Sequence, residues 1–143
     1  MKRLRLGELL IKAGILDEEQ LDKALKEQKR TRSRLGETLI RMQFASEDQL
    51  IEAISKQLSI ARVDLGDYPI DPRIAQKLPE IAARRLRAIV LAEQVDGYLV
   101  AMADPTNLLE EDELERHLGR PVHTAIARER ELLLALDRVY LRR

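Results

Sequence analysis

Apolar residues recur at helical spacing near the start of the chain and predict a short first helix. The apolar positions follow the helical period at Leu6, Leu9, Leu10 and Ala13. Gly14 comes next, where a left-handed C-terminal cap is expected. The same spacing returns further along, so the first 58 residues are predicted to form four helices.

Two capping boxes predict where the second and the fourth helix begin. Residues 17–20 read Asp-Glu-Glu-Gln and residues 46–49 read Ser-Glu-Asp-Gln, so a capping side chain is followed three residues later by glutamine. Each predicted helix then carries an apolar stripe whose last member is a glutamine, Gln28 in one and Gln57 in the other. The apolar members of the two stripes are Leu21, Ala24 and Leu25, and Leu50, Ala53 and Ile54.

The helical part is a sequence repeat. Residues 5–28 and residues 34–57 align without a gap and share the same residue at 11 of 24 positions, whereas chance would give roughly one or two. Apolar positions alone would explain a helical repeat, yet an Arg-Leu-Gly start and a final Gln also recur. Repeated polar residues indicate two equivalent halves of a site, and therefore a ligand with two-fold symmetry.

The pattern changes after residue 59 and predicts a mixture of strands and helices. We expect strands over 61–65, 88–93, 98–103 and 121–126, and helices over 73–86, 108–118 and 129–140. Pro79 is expected to break or kink the first of these helices. The predicted fold is α+β, with a four-helix subdomain of two helical-hairpin repeats (1–58) followed by a small α/β subdomain with a short mixed sheet (59–143).

Composition excludes several classes of function. The 25 basic residues equal the 25 acidic ones, so no bulk charge points to nucleic acid or to an anionic membrane. The absence of cysteine excludes disulfides and thiolate metal sites. No apolar run approaches the ~18–20 residues that cross a bilayer. We therefore expect a cytoplasmic protein that neither inserts into a membrane nor binds nucleic acid.

Catalytic motifs are missing. The sequence has no glycine-rich phosphate loop, no HExxH and no nucleophile elbow. His117 and His123 lack the spacing of metal ligands and are expected to be structural or surface residues. We therefore expect neither an enzyme nor a site for a metal or a cofactor.

The repeated polar residues favour ligand binding. Arg5 and Arg34 each present a guanidinium at a helix start, and such a fork matches a guanine edge or a phosphate. Gly7 and Gly36 remove a side chain that would block close approach, and the glutamines can pair with a base edge. Apolar surfaces that could pack against the planar rings of a ligand would come from Leu6, Leu21, Leu25, Leu35, Leu50 and Ile54. An equally weighted alternative is that the leucines are core, the glycines pack helices, and the arginines and glutamines bond locally.

Both copies follow the pattern RLG, two residues, two aliphatics, two residues, G, two aliphatics, four residues, L, three residues, L, two residues, Q, apart from two departures in the second copy. This doubled pattern, with its five-residue spacer, resembles the MshEN domain, a cyclic di-GMP-binding N-terminal domain of type II secretion and type IV pilus ATPases. The segments Tyr68-Pro69-Ile70-Asp71-Pro72 and Ala101–Asn107 are similar to the rest of that module. The resemblance therefore covers nearly the whole chain.

The resemblance implies which residues contact the ligand. Arg5, Gln28, Arg34 and Gln57 would contact the guanines and phosphates of one cyclic di-GMP, and the six aliphatic residues would supply its apolar contacts. Arg3 and Asp104 match further positions that face the ligand. The implied partners are a secretion or pilus ATPase motor, in the same or another chain, and its inner-membrane platform.

The second copy departs from the pattern at Gln43, which replaces Gly, and at Ala45, which replaces a larger aliphatic. A glutamine at a left-handed cap costs on the order of 1 kcal/mol relative to glycine. The alternative function is a protein-docking module that links such an ATPase to an inner-membrane partner without binding nucleotide. Intact Arg and Gln anchors in both copies favour the ligand.

Overall fold

A computed structural model describes residues 4–141, within which eight helices and three strands are formed. The chain divides into two compact units, Met1–Ser59 and Ile60–Arg143. The first unit contains helices only, and the second contains all three strands. The predicted α+β fold with a short mixed sheet is confirmed.

The first unit contains four helices, α1 (Leu6–Lys12), α2 (Glu18–Thr31), α3 (Leu35–Arg41) and α4 (Glu47–Leu58). Both predicted capping boxes are confirmed. In the first, the Gln20 amide donates to Asp17 Oδ1 at 2.7 Å while the Asp17 amide donates to Gln20 Oε1 at 3.0 Å. The Ser46 box repeats this reciprocal pair at 3.1 and 2.9 Å. Each box satisfies two amide groups that a helix start would otherwise leave unpaired.

The four helices pack reciprocally. The first helix of each copy makes its largest contact with the second helix of the other copy, α1 with α4 and α3 with α2, while α1 and α3 also contact each other. Exchanging the two copies leaves this set of contacts unchanged, which is an approximate two-fold symmetry. The buried core of this unit consists of Leu6, Leu9, Leu10, Leu16, Ala24, Leu39, Ala45, Leu50, Ile51, Ala53 and Ile54.

Left-handed residues end the first helix of each copy at equivalent positions. Gly14 has φ 78° after α1, and Gln43 has φ 62° after α3. The left-handed cap predicted at Gly14 is therefore confirmed, and Gln43 adopts the same conformation despite carrying a side chain. A non-glycine residue pays a steric cost there because its Cβ approaches the backbone.

The second unit contains α5 (Pro72–Ala75), α6 (Glu80–Leu86), β1 (Ala88–Gln94), β2 (Gly97–Met102), α7 (Leu108–Leu118), β3 (Val122–Ile126) and α8 (Glu129–Val139). The sheet has the order β1-β2-β3. β1 and β2 pair antiparallel through a tight hairpin, with a register shift between Val90 and Ala92, and β2 and β3 pair parallel. Parallel pairing requires a crossover, which α7 provides.

One predicted element in this unit is wrong. Residues 61–65 form no strand, because only an isolated bridge joins Arg62 to Ile126. The helical segment predicted over 73–86 is broken at Pro79 as expected, and Pro79 is the N-cap of the second of its two helices. A proline lacks the amide proton that a helix interior requires and is tolerated only at a helix start.

The hydrophobic core of the second unit lies between the sheet and the helices that contact it, α5, α6, α7 and α8. Two hydrogen bonds join the end of α8 to α5, since Gln76 Nε2 donates to the Val139 carbonyl at 2.8 Å and the Tyr140 hydroxyl donates to the Ala75 carbonyl at 3.1 Å. Within residues 4–141, every helix is too short or too polar to cross a bilayer.

Candidate functional site

The two Arg-Leu-Gly segments form equivalent helix starts. Arg5 and Arg34 are the N-cap residues of α1 and α3, with φ/ψ of −70°/158° and −70°/149°. Their carbonyls accept the first helical hydrogen bonds, from the Leu9 amide at 2.9 Å and the Thr38 amide at 3.0 Å. The repeated sequence therefore produces the same backbone geometry twice.

The glycines of the two motifs are surrounded by predicted site residues. A Cβ built on Gly7 would lie 2.7 Å from Leu21 Cδ1, which is closer than real contacts allow. A Cβ built on Gly36 would lie 3.6 Å from Leu50 Cδ1 and 3.9 Å from Leu6 Cδ2, which is ordinary contact distance. The structure therefore brings five of the predicted residues together around the two helix starts.

The four polar anchors differ in their surroundings. Arg5 and Gln57 are exposed, whereas Gln28 and Arg34 are half-buried. Within residues 4–141 the side chains of Arg5, Gln28 and Gln57 form no hydrogen bond or ion pair, while Arg34 has an interaction within the protein. Three of the four anchors therefore keep their full hydrogen-bonding capacity.

The six aliphatic residues divide into two groups. Leu6, Leu50 and Ile54 belong to the buried core of the first unit, with exposures of 6%, 6% and 2%. Leu21 and Leu35 are half-buried, and Leu25 is 40% exposed. The two copies therefore differ in burial at all three equivalent pairs, and the difference is largest where Leu25 is open to solvent and its counterpart Ile54 is enclosed.

A buried hydroxyl that sequence reasoning missed supports the second helix start. Thr38 is fully buried, and its Oγ1 donates to the Arg34 carbonyl at 3.0 Å, alongside the Thr38 amide. The first copy has Leu9 at this position. The sequence signal was the polar residue in an otherwise apolar stripe. Its hydrogen bond gives the Arg34 carbonyl a second donor that Arg5 does not have.

Two predicted positions remain outside this group. Arg3 lies outside the described residues. Asp104 belongs to the second unit, where its Oδ1 accepts from the Thr106 amide at 3.0 Å and from the Thr106 hydroxyl at 2.6 Å. These bonds are those of an Asx turn, which gives Asp104 a structural role in the loop after β2.

The histidines are separate from the repeated motifs. His117 lies 3.5 Å from Glu113 on the same helix, and His123 on β3 lies 3.1 Å from Asp96 in the β1–β2 turn. Over the described part of the chain, no group of three His, Cys, Asp or Glu side chains has the arrangement needed to hold a metal ion.

Comparison with known protein families identifies the family to which the chain belongs. The sequence profile of the MshEN domain matches residues 58–143, which is more than half of the chain. This chain belongs to the MshEN family. The profile covers the second unit and begins after the two motifs. The relationship of the two motifs to known proteins comes from alignments that cover 95% of this chain.

Those alignments connect the chain to pilus and secretion ATPases. The type IV pilus assembly ATPase PilB of Myxococcus xanthus is 30% identical over 136 residues, covering 95% of this chain and 24% of PilB. PilB of Thermus thermophilus is 30% identical over 138 residues, covering 95% of this chain and 16% of that protein. The chain therefore spans about a quarter or less of the length of these relatives.

Solved structures agree over nearly the whole chain. A structure of MshE with cdg (cyclic di-GMP) has a TM-score of 0.77 and 42% identity, covering 96% of this chain and all of that one. The N-terminal domain of XpsE has a TM-score of 0.75 and shares the fold at 17% identity. The chain corresponds to the N-terminal regulatory domain of these ATPases and not to their catalytic domain.

Proposed function

We propose that this chain is a cyclic di-GMP receptor domain in which one dinucleotide bridges the two 24-residue motifs. The observation that carries the proposal is the pair of equivalent helix starts, Arg5–Gly7 and Arg34–Gly36, on two helices that contact each other. The 42% identity to MshE, whose structure was solved with cyclic di-GMP, supplies the ligand. A cyclic dinucleotide has two bases and two phosphates related by two-fold symmetry, which matches the duplicated anchors.

The polar anchors provide the charge and the donors that this ligand requires. Each guanidinium can donate two parallel hydrogen bonds to a phosphate or to the O6 and N7 of guanine. Gln28 and Gln57 carry both a donor and an acceptor, so each can pair with a base edge. Because the chain as a whole has no net charge, the attraction for an anionic ligand must be local, and Arg5 and Arg34 contribute to it.

The aliphatic contacts are unequal in the two half-sites. Leu25 is exposed and Leu21 and Leu35 are half-buried, so these three can cover a guanine ring without rearrangement of the core. Leu50 and Ile54 are enclosed and would act mainly by supporting the second helix start. We therefore assign the larger apolar contact to Leu25 of the first motif.

The regulatory role follows from the relatives. In our proposal, ligand binding by this cytoplasmic domain controls a bacterial type II secretion or type IV pilus ATPase. The motor acts in the same polypeptide or as a separate chain, and it works against an inner-membrane platform. The 30% identity to two PilB proteins supports a type IV pilus ATPase context.

Isothermal calorimetry with cyclic di-GMP tests the proposal on three variants. Arg5→Ala and Arg34→Ala should each weaken binding by about 10- to 150-fold, because losing one partner of a charge-assisted bond costs about 1.5–3 kcal/mol. Arg73→Ala is the matched control, since Arg73 lies in the second unit and its side chain is 92% exposed. If either motif variant retained full affinity, the proposal that both motifs together form one ligand site would be refuted. Absence of binding by the unmodified chain would favour the protein-docking alternative.

A further inference from the structure

A small cleft lies between the loop that precedes α5 and the C-terminal half of α8, both in the second unit. Its volume is about 180 Å³. One wall is formed by Tyr68, Ile70 and Pro72, and the other by Ala135, Arg138 and Val139. We call this the α8 cleft, and it contains none of the residues of the repeated motifs.

The size of the α8 cleft fits one side chain. Sites for whole small molecules usually measure about 300–1,000 Å³, whereas this cleft has about 180 Å³ and is open to solvent. Most of the lining residues are aliphatic or aromatic, while nearly half of the accessible lining surface is polar. A single aliphatic side chain projecting from a peptide would bury its apolar surface here while the peptide backbone stays outside.

Both walls are held in place by hydrogen bonds. Gln76 holds the carbonyl of Val139, and Asp64 Oδ1 accepts from the Gly66 amide at 2.9 Å at the start of the loop. Asp71 Oδ1 accepts from the Arg73 amide at 2.9 Å at the end of the loop. The cleft is therefore formed before anything binds, which lowers the ordering cost of an occupant.

The lining of the α8 cleft includes one charged residue, which favours an occupant of opposite charge. Arg138 is the one charged side chain that lines it, and among residues 4–141 it has neither a hydrogen bond nor an ion pair. Leu134 lies one helical turn before Arg138 and is 53% exposed. An aliphatic recess, a free guanidinium and a further exposed leucine thus lie along one edge of α8.

We propose that the α8 cleft binds an acidic peptide segment of a partner protein. An aliphatic side chain of the segment fills the recess, and a neighbouring carboxylate accepts hydrogen bonds from Arg138. The Arg138 fork favours a planar carboxylate because two parallel hydrogen bonds can form. All of the residues that line the cleft belong to the second unit.

Peptide titration monitored by ¹⁵N–¹H NMR of the full chain tests the proposal. The probes are two capped tripeptides, acetyl-Leu-Glu-Leu-amide and acetyl-Leu-Gln-Leu-amide. The glutamate peptide should shift amide signals in residues 66–72 and 134–140 and bind about two- to fivefold more tightly than the glutamine peptide. The difference should shrink in high salt, because an exposed ion pair is screened.

Arg138→Gln and Arg130→Gln form a matched pair on the same helix. Arg138→Gln should abolish the preference for the glutamate peptide, whereas Arg130→Gln should retain it, since Arg130 does not line the cleft. Equal affinity of the two peptides for the unmodified chain would overturn the proposal. So would shifts confined to other residues, no shifts at all, or a preference that survives Arg138→Gln.

Discussion

The glycines of the two motifs should respond differently to the same substitution, although their sequences are equivalent. A Cβ at Gly7 would approach Leu21 Cδ1 at 2.7 Å, Cδ2 at 3.0 Å and Cγ at 3.4 Å. Exchanging the two methyl groups by rotation leaves the same crowding, so the Leu21 side chain or α1 must move. At Gly36 the nearest atom is 3.6 Å away, and alanine fits.

The expected magnitudes follow from these distances. Replacing a helical glycine by alanine stabilises by about 0.5–1 kcal/mol through chain entropy, so Gly36→Ala should stabilise the first unit by that amount. Forcing a methyl group into a filled space costs about 1–3 kcal/mol, and the cost here falls at the low end because the crowding atoms are the end of the half-buried Leu21 side chain. Gly7→Ala should therefore be less stable than Gly36→Ala by about 1 kcal/mol.

Urea unfolding of the two variants, followed by circular dichroism, measures this difference. Signals from tyrosine residues report on the second unit, which contains all three tyrosines and serves as an internal control. Equal stabilities, or a larger loss in Gly36→Ala, would refute the packing argument. Calorimetry with cyclic di-GMP on the same proteins would show whether Gly36 also provides room for the ligand, because Gly36→Ala would then lose affinity while gaining stability.

Three further outcomes are expected. Gln43→Gly should change the free energy of unfolding by less than about 1 kcal/mol and leave cyclic di-GMP affinity unchanged, because the relieved left-handed cap is offset by greater chain entropy; a larger change in thermal unfolding would contradict this. The hydrogen bond from Arg85 lowers the pKa of Glu113 below its ordinary value of 4.5, so its contribution to stability is complete above that pH and is lost as pH falls through the lowered pKa. Glu113→Gln should remove this part of the pH dependence of stability. If the free energies of unfolding of Glu113→Gln and of the unmodified protein, measured in urea, changed in parallel down to about pH 3, this contribution of Glu113 would be excluded. If Arg5 and Arg34 both read guanine edges, cyclic di-GMP should bind about 30- to 10⁴-fold more tightly than cyclic di-AMP, whereas titrations within about threefold would identify them as phosphate clamps.

Local signals in the sequence were sufficient for much of the fold. The capping boxes at Asp17 and Ser46 and the left-handed Gly14 depend on residues within one helical turn, so the sequence alone determines them. The strand expected over 61–65 failed because a strand needs a partner along its whole length, and only Arg62 finds one. Pairing partners distant in sequence cannot be read from a local apolar run.

The sequence predicts the positions of the candidate site but not the exposure of its side chains. Helical periodicity identifies Leu25 and Ile54 as equivalent, yet one is 40% exposed and the other 2%. Packing between the copies decides which face stays open, and a repeat pattern contains no such information. The sequence also gives no reason to single out Arg138, since a basic residue in the last turn of a helix ordinarily needs no ligand to explain it.

The reciprocal packing of the first unit has a consequence for how its two copies can diverge. Because α1 packs mainly against α4 and α3 mainly against α2, a change of shape in one motif alters the packing of the other. Neither copy can drift, be deleted or be exchanged by itself without exposing the apolar side of its neighbour. Differences between them can accumulate where side chains meet solvent, or where a neighbour compensates, as at Leu9 and Thr38, which are both fully enclosed. The two copies therefore evolve as one packed unit, and a core mutation in either copy alters the packing of both.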